Sequence, residues 1–538
     1  MECSIAIRGG ITGEAVLLYP TTCEEPMTRN ETIIDHQVVL DEQGRLLPWT
    51  SYTNIFKWSM NFIKNCPTIA TAFGNDPCYL VTSFLGEDGS FVRNQNTQGG
   101  NTYWAVETLK RYYAYTADRD AFKPVILLAE RVLHYHTPKD WAWPNVPRTQ
   151  DGDPIHPLDP GLPLDEQGNP IIPASTANGE YTDESSEVDK ICMVAVAYVT
   201  LFKLTREEKY LDSALAIAEV IVQHVSPGDG GHSPLPFRVN LKTGEVLDCY
   251  STDMIPAIRL FDELNALGYH GCQDIYRAKR DIILKWILQY PVKTNQWSGY
   301  YEDNKSGLHQ NLDQQSPMET ARYLLQHPDL DPEYKCHVLA LIAWVKNRFG
   351  KIRHYGATSV MEQDLCMLEM GSHTARYASI VAKWFGVTDN TEDREEARAS
   401  FAMATYSAYN RYSKDGCGIN RVGISHPKVW FSDSYFDYLP HMLDGMADLP
   451  EMAPEDEDHI ISSTSVVTTV QYGPDGLEYE TFDPDGAEIL RLTFKPKVLA
   501  NGRPLDNSQW TFGNYRGVSN ILRIQRQGVS SVVIKKTT

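Results

Sequence analysis

Paired helical segments recur along this sequence and constrain its fold more than any other feature. Apolar residues return about every 3.6 residues, the spacing that places them on one face of a helix. The paired segments are 101–117 with 121–136, 186–204 with 207–224, 252–267 with 274–289, 317–326 with 332–349, and 372–385 with 392–412. Polar turns such as Thr205-Arg-Glu-Glu208 join the two members of a pair. The pattern predicts five helical hairpins, and segments 433–447 and 52–65 would supply a sixth that closes a ring.

A short internal repeat supports this arrangement. The sequence Glu319-Thr-Ala-Arg-Tyr323 returns 54 residues later as His373-Thr-Ala-Arg-Tyr377, each time at the start of the first helix of a hairpin. A period of this length is typical of stacked or closed helical arrays.

Two regions break the helical pattern. Residues 138–182 are rich in Pro and carry interleaved Trp, which is typical of a long functional loop. After about residue 450 the pattern changes to strands, with Pro-Asp-Gly turns at 474–476 and 484–486. The sequence therefore predicts an N-terminal segment with short strands (1–47), a helical domain (48–450) and a small C-terminal β-sandwich domain (460–538).

Composition excludes several classes of protein. The chain has 49 Lys and Arg against 70 Asp and Glu, a net charge of −21, which argues against nucleic acid or an anionic membrane as partner. The ten cysteines are scattered without metal-binding spacing, and neither an HExxH motif nor an EF-hand loop occurs, so no metal or cofactor is indicated. The first residues do not resemble a signal peptide, so we expect a cytoplasmic protein or one whose leader is missing.

The ring of hairpins with a β domain resembles the (α/α)6 toroids of six-hairpin glycosidases over residues 50–450. Three stretches resemble more particularly a bacterial family associated with β-glucuronidase activity: Trp297-Ser-Gly-Tyr-Tyr-Glu-Asp303, Glu319-Thr-Ala-Arg-Tyr-Leu-Leu325 and Trp430-Phe-Ser-Asp-Ser-Tyr-Phe-Asp-Tyr438. The resemblance implies a mainly α fold with the substrate cleft at the end where the inner helices begin. It assigns no catalytic residue.

Acidic residues lie at several of these helix starts. Glycoside cleavage needs one carboxylic acid to protonate the leaving oxygen and a carboxylate to attack or to activate water. The candidates for these roles are Asp183, Glu184, Asp253 and Glu319, with His373 as a further catalytic candidate. Acids at helix starts can equally be capping residues, and this alternative stays open.

Other residues near the helix starts are candidates for binding a sugar. Arg322 and Arg376 suit a uronate carboxylate, although a buried Arg–Glu pair between helices is an equally direct interpretation. Trp and Tyr together number 40 against 17 Phe, and such rings stack on sugar faces or simply pack in cores. The remaining binding candidates are Tyr181, Trp297, Tyr300, His309, Asp364, Trp430, Asp433 and Tyr435.

The leading hypothesis is a glycoside hydrolase that cleaves a uronic-acid glycoside such as a β-glucuronide, with an oligo- or polysaccharide as substrate. The first alternative is a polysaccharide lyase that cleaves uronate chains by β-elimination, with Tyr181, Tyr300, His309 or His373 abstracting the proton. The second alternative is a toroid that binds glycans without catalysis.

Overall fold

The structure is a computed structural model in which twelve helices of more than ten residues dominate the described chain. It describes residues 32–33, 36–71, 74–80, 84–85, 91–93, 98–148, 184–301, 311–364, 366–410, 416, 419–421, 430–431 and 434–537. The twelve helices are α1 (Tyr52–Asn65), α2 (Gln98–Thr116), α3 (Phe122–His134), α4 (Val188–Thr205), α5 (Glu208–His224), α6 (Ile255–Ala266), α7 (Ile275–Gln289), α8 (Gln315–Gln326), α9 (Tyr334–Phe349), α10 (Gly371–Thr388), α11 (Thr391–Ala404) and α12 (Ser434–Gly445).

Six of these helices form a closed inner ring. Helix α2 contacts α4, α4 contacts α6, and the contacts continue through α8, α10 and α12 back to α2. Helices α3, α5, α7, α9 and α11 each pack outside the inner helix that precedes them, and α1 packs against α12 and α3. The arrangement is an (α/α)6 toroid, which confirms the mainly α fold predicted from the paired segments.

The burial of the helices follows from their composition. Helix α4 is apolar around its whole circumference, and nearly all of its residues from Val188 to Leu204 are buried. A helix that is apolar on every side belongs inside a protein. Helix α5 buries one face, with Tyr210, Ala214 and Ile217 among its buried residues. Helices α4 and α5 therefore differ in burial because their sequences differ.

The C-terminal region forms two antiparallel sheets that pack as a sandwich, as predicted. In sheet order the first contains His459–Ser463, Gly486–Arg491, Val518–Arg526 and Trp510–Tyr515, and the second contains Val467–Gly473, Gly476–Thr481, Ser531–Lys536, Pro496–Ala500 and Arg503–Pro504. The two predicted Pro-Asp-Gly segments lie at the starts of Gly476–Thr481 and Gly486–Arg491. The division of the chain into domains at the predicted boundaries stays a prediction.

The sandwich packs against the ends of α2 and α4 that are distant from the inner-helix starts. The His459 ring stacks on Tyr115 near the end of α2 with 3.7 Å between ring centroids. The Tyr472 hydroxyl donates to the carbonyl of Ala114 at 2.6 Å. At the end of α4, the Arg206 guanidinium lies 3.8 Å from the ring centroid of Phe482. The inner-helix starts therefore lie at the opposite end of the ring.

Short strands complete the described chain. They are Thr32–Ile33 with His36–Gln37, Val39–Leu40 with Leu46–Leu47, Thr68–Thr71 with Gly74–Pro77, Ser185–Glu187 with Arg238–Asn240 and Val246–Asp248, Ile352–His354 with Ala357–Ser359, Met361–Gln363 with Cys366–Glu369, and a five-stranded sheet of Ala408–Tyr409, Ile419–Arg421, Trp430–Phe431, Phe84–Leu85 and Phe91–Arg93. Among the described helices, none is long and apolar enough to cross a membrane.

Candidate active site

The first turns of the inner helices are joined by polar contacts across the ring. Lys190, at the start of α4, donates from Nζ to the carbonyl of Tyr300 at 2.7 Å. Arg376 of α10 donates to the Gln314 side chain, just before α8, at 3.4 Å. The Arg376 guanidinium also lies 5.2 Å from the ring centroid of Trp104 in α2. Residues that are far apart in the sequence therefore meet at this end of the toroid.

Three aspartates at the starts of consecutive inner helices form the feature that we call the acid cluster. Asp189 is the second residue of α4, while Asp253 and Asp313 each lie two residues before α6 and α8. All three are buried, with at most 2% of each residue exposed. No N–H or hydroxyl group of the described chain donates to either carboxyl oxygen of Asp253 or to Oδ1 of Asp189. The Asp253 and Asp189 carboxyls lie within hydrogen-bond reach of each other, and this contact lowers the pKa of Asp253.

Local hydrogen bonds hold the backbone at Asp253 and the carboxyl of Asp313. Ser251 donates to the carbonyl of Gly299 at 2.6 Å, and its oxygen accepts from the Asp253 backbone N–H at 3.1 Å. Gly299 has a φ of +79°, and a Cβ there would lie 2.5 Å from the carbonyl oxygen of Tyr250, so only glycine fits this close passage. Asp313 accepts from the backbone N–H and the hydroxyl of Ser316 at 2.7 and 3.1 Å.

Burial raises the pKa of each carboxyl in the acid cluster to about 7. Removal from water disfavours the charged form of a carboxyl, and neighbouring negative charges act in the same direction. The Asp313 and Glu319 charges raise the pKa of Asp253, and the Asp253 charge raises that of Asp189. The cluster therefore holds both protonated and ionised carboxyls near neutral pH, as acid–base chemistry requires.

Lys190 is the cation whose charge lowers the pKa of all three carboxyls. Its Nζ lies 2.7 Å from Oδ2 of Asp189 and 3.5 Å from Oε2 of Glu187. Nζ also lies 3.7 Å from the ring centroid of Tyr300. Burial lowers the pKa of Lys190, but the Asp189 and Glu187 carboxylates outweigh burial and hold it well above its ordinary value. Lys190 is therefore charged and favours the ionised form of Asp189.

Glu319 lies among three arginines. Its carboxylate is 3.2 Å from Arg259, 3.2 Å from Arg322 and 3.7 Å from Nε of Arg376. Burial alone would raise the pKa of Glu319, but the arginines outweigh it and lower the pKa. Glu319 is held ionised, which suits an ion pair between helices better than a proton donor.

The repeated arginines are also bonded to protein groups. Arg322 donates to Asp444, and to the hydroxyl of Ser379 at 2.8 Å. Arg376 donates to Asp437 and, at 3.0 Å, to Nδ1 of His373. These contacts match the structural alternative that the sequence left open, a buried arginine–carboxylate pair that joins neighbouring helices.

His373 and Tyr301 form a contact beside this network. Nε2 of His373 lies 3.3 Å from the Tyr301 hydroxyl, which also accepts from Gln314 at 3.3 Å. Burial and the Arg376 charge lower the pKa of His373 well below its ordinary value. Because Arg376 donates to Nδ1, the proton of the neutral ring is assigned to Nε2, on the side of Tyr301.

The other predicted residues have different surroundings. Glu184 pairs with Lys242 at 2.7 Å on the short sheet before α4. Asp364 pairs with Nη2 of Arg348 in α9 at 2.5 Å. Trp297 is buried, and its carbonyl accepts from the Asp313 backbone N–H at 2.9 Å. Tyr300 is positioned against Lys190 as described above.

Six of the predicted residues have no described side chain. Tyr181, Asp183, His309 and Asp433 lie outside the described residues, and only the backbone is described for Trp430 and Tyr435. Their expected roles stay predictions.

Asp253 was predicted from the sequence as a catalytic candidate, whereas Asp189, Asp313 and Lys190 were not among the predicted site residues. The available signal was an aspartate at the start of three consecutive inner helices, separated by 64 and 60 residues. In the described chain, no group of three or more His, Cys, Asp or Glu side chains is arranged to hold a metal ion.

The fold and the site together define a class: an (α/α)6 toroid with buried carboxyls at the starts of its inner helices. The chain matches no protein-family model and no curated protein. Similar solved structures include a cellobiose 2-epimerase from Spirochaeta thermophila, 8% identical over 71% of this chain and 90% of that chain, with a TM-score of 0.45. An unsaturated glucuronyl hydrolase specific for heparin is 10% identical over 74% and 96%, with a TM-score of 0.44. A family 76 glycoside hydrolase from Bacteroides thetaiotaomicron is 10% identical over 74% and 78%, with a TM-score of 0.46.

Proposed function

We propose that this protein is a carbohydrate-active enzyme that hydrolyses a glycosidic bond, with the acid cluster as its catalytic centre. The observation that carries the proposal is a set of three buried carboxyls with pKa values of about 7 at one end of the ring. Keeping unpartnered carboxyl oxygens buried is costly, and groups with such shifted pKa values concentrate at functional sites.

The surroundings of the carboxyls suggest how the roles divide. Asp253, to which no N–H or hydroxyl group of the described chain donates and whose pKa is raised by burial and by the Asp313 and Glu319 charges, is the proposed acid that protonates the leaving oxygen. Asp189, held toward its ionised form by Lys190, is the proposed carboxylate that activates water or attacks the sugar carbon. The proton passes to the departing alcohol, and water supplies the hydroxyl that the sugar gains.

The proposed substrate is a uronic-acid glycoside such as a β-glucuronide, as the sequence resemblance implies. Lys190 supplies a positive charge within the acid cluster, and a uronate carboxylate would be attracted to it. Arg322 and Arg376 would act one step further away, through the carboxylates that they hold.

An activity screen tests the proposal. Aryl β-glucuronides, neutral aryl glycosides and uronate polysaccharides are incubated with the wild-type protein and with Asp253→Asn. We expect the wild-type protein to release the aryl alcohol and Asp253→Asn to release it about 10²- to 10⁴-fold more slowly, because general acid–base catalysis contributes about that factor to the rate. Asp212→Asn, on the exposed face of α5, is the matched control and keeps wild-type activity. Equal activity in wild type and Asp253→Asn would contradict the assignment.

The contact between His373 and Tyr301 favours a second candidate function, a lyase acting on uronate chains. If a uronate carboxylate draws Arg376 away from Nδ1 of His373, that nitrogen becomes free to accept the proton that β-elimination removes. A lyase would generate ultraviolet absorbance from the new conjugated double bond, and His373→Gln would abolish that absorbance. Aryl release without the absorbance would exclude this alternative for the substrates tested. Sugar binding with neither signal would support a non-catalytic toroid.

A further inference from the structure

Gln315, the first residue of α8, has a buried amide without a hydrogen-bond partner. Its side chain is fully buried, and within the described chain neither Oε1 nor Nε2 is bonded. The preceding Gln314 is bonded to Tyr301 and Arg376. A buried amide left unbonded is destabilising, and native proteins leave few such groups. The cost is explained if the amide is bonded only when a ligand is present.

The position of Gln315 connects its amide with the acid cluster. The Gln315 backbone N–H bonds to the Asp313 carboxyl and lowers its pKa. Asp313 also accepts from the backbone N–H and hydroxyl of Ser316. Asp313 therefore occupies backbone donors at the start of α8, whereas no group of the described chain bonds to the side-chain amide of Gln315.

We infer that Gln315 binds a ring hydroxyl of the sugar whose glycosidic bond is cleaved, and so determines specificity for that hydroxyl. An amide offers both a carbonyl acceptor and an NH₂ donor, and a hydroxyl can both donate and accept. A neutral amide therefore complements a neutral hydroxyl, while the charged groups of the cluster are left for the reacting bond. The inference rests on the proposed glycoside hydrolysis and assigns one substrate contact within it.

Single-deoxy analogues of an accepted aryl glycoside provide the test. Gln315→Met keeps the length of the side chain and removes the amide. We expect wild-type kcat/KM to fall about 10- to 100-fold on one deoxy analogue, the cost of leaving the amide unbonded. Gln315→Met should lose a similar factor on the parent glycoside and nothing further on that analogue, with a melting temperature no lower than that of wild type. Gln326→Met, at the exposed end of the same helix, is the matched control and behaves as wild type.

Two results would overturn the inference. One is unchanged kcat/KM of Gln315→Met on the parent glycoside. The other is an equal loss on the parent and on every deoxy analogue, which would indicate a general structural role. If Gln315→Met fails to fold, Gln315→Asn, which keeps the amide on a shorter side chain, is put through the same comparison with the same criteria.

The inference remains testable if the wild-type protein hydrolyses no glycoside and the proposed function fails. Melting temperatures are then measured with saturating glucuronic acid, glucose and mannose. A sugar that raises the melting temperature of wild type but not that of Gln315→Met supports the assigned contact. Equal shifts in both proteins, or no shift with any of the three sugars, overturn it.

Discussion

At the scale of single residues, the most informative property of the site is the folding stability that is lost by burying the carboxyls of the acid cluster. Asp253 is buried, and no N–H or hydroxyl group of the described chain donates to its oxygens, which face the Asp189 carboxyl. A protein gains no stability from such a group, and residues of this kind persist where activity depends on them. Glu319 is equally buried but is bonded on every side by arginines. The two acids therefore respond differently to substitution.

Asp253→Asn should stabilise the protein at pH 8 while removing its activity. The substitution keeps the shape of the side chain and removes a charge that burial disfavours. We expect the free energy of unfolding at pH 8 to rise by about 2–4 kcal/mol, because the folded wild-type protein bears the free energy that raises the Asp253 pKa to about 7. Urea unfolding measures it. A loss of stability that parallels the loss of activity would instead indicate a structural role for Asp253.

The stabilising effect of Asp253→Asn should depend on pH. The folded pKa of Asp253 is about 7, above its ordinary value of 3.8. The folded state of wild type therefore holds a proton that the unfolded state releases, and its stability falls as the pH rises between these values. The advantage of the variant should be small near pH 4, increase with pH and level off above about pH 7. Both proteins contain the same buried histidines. Their contribution to the pH dependence of the unfolding free energy therefore cancels when the two proteins are compared. A difference that is independent of pH would contradict the raised pKa.

At the scale of helices, Glu319 joins three members of the inner ring. It lies on α8, while Arg259 lies on α6 and Arg376 on α10. Breaking one partner of a buried ion pair leaves the other charges uncompensated, which is more costly than losing an exposed pair. Arg322 and Arg376, the arginines of the repeated Thr-Ala-Arg sequence, both contact Glu319 from two adjacent inner helices.

Glu319→Gln should lower the free energy of unfolding by about 3–5 kcal/mol, because buried Arg322 and Arg376 and partly buried Arg259 lose a shared carboxylate. Glu207→Gln is the matched control. Glu207 is 44% exposed and pairs with Lys209 on the surface, so its loss should cost less than about 1 kcal/mol. Thermal unfolding of the two variants distinguishes them. Equal, small losses would show that the arginine network contributes little to the ring.

The helices were predictable from the sequence because amphipathic periodicity is a local signal. The site was predictable only in part. Asp253 and Asp313 precede their helices as capping residues do, and only the tertiary structure shows that they are buried near neutral pKa values. The repeat placed Arg322 and Arg376 correctly on inner helices, but it could not show that Asp444 and Asp437 occupy their donors.

At the scale of the whole molecule, the β-sandwich and the acid cluster lie at opposite ends of the toroid. The sandwich packs on the ends of α2 and α4 through His459, Tyr472 and Phe482. The acid cluster lies at the other end of the ring. The sandwich should therefore affect stability much more than catalysis.

Tyr472→Phe should test this separation. The substitution removes the hydrogen bond to Ala114 and leaves the backbone N–H of Ile460 without its 2.9 Å acceptor. We expect the free energy of unfolding to fall by about 1–3 kcal/mol, with kcat/KM unchanged on any accepted glycoside. Tyr269→Phe, on an exposed tyrosine, is the control. A loss of kcat/KM in the folded Tyr472→Phe protein would show that the two ends are coupled.

The central claim is that carboxyls with raised pKa values at the starts of the inner helices cleave a glycosidic bond. The pH dependence of kcat/KM on an accepted aryl glycoside, measured for wild type and Asp253→Asn, tests it most directly. We expect wild-type kcat/KM to be greatest near pH 7, to decline at higher pH as Asp253 loses its proton and to decline at lower pH as Asp189 gains one, and we expect Asp253→Asn to lower kcat/KM about 10²- to 10⁴-fold. A wild-type profile that is flat through pH 7, together with full activity of Asp253→Asn, would contradict it.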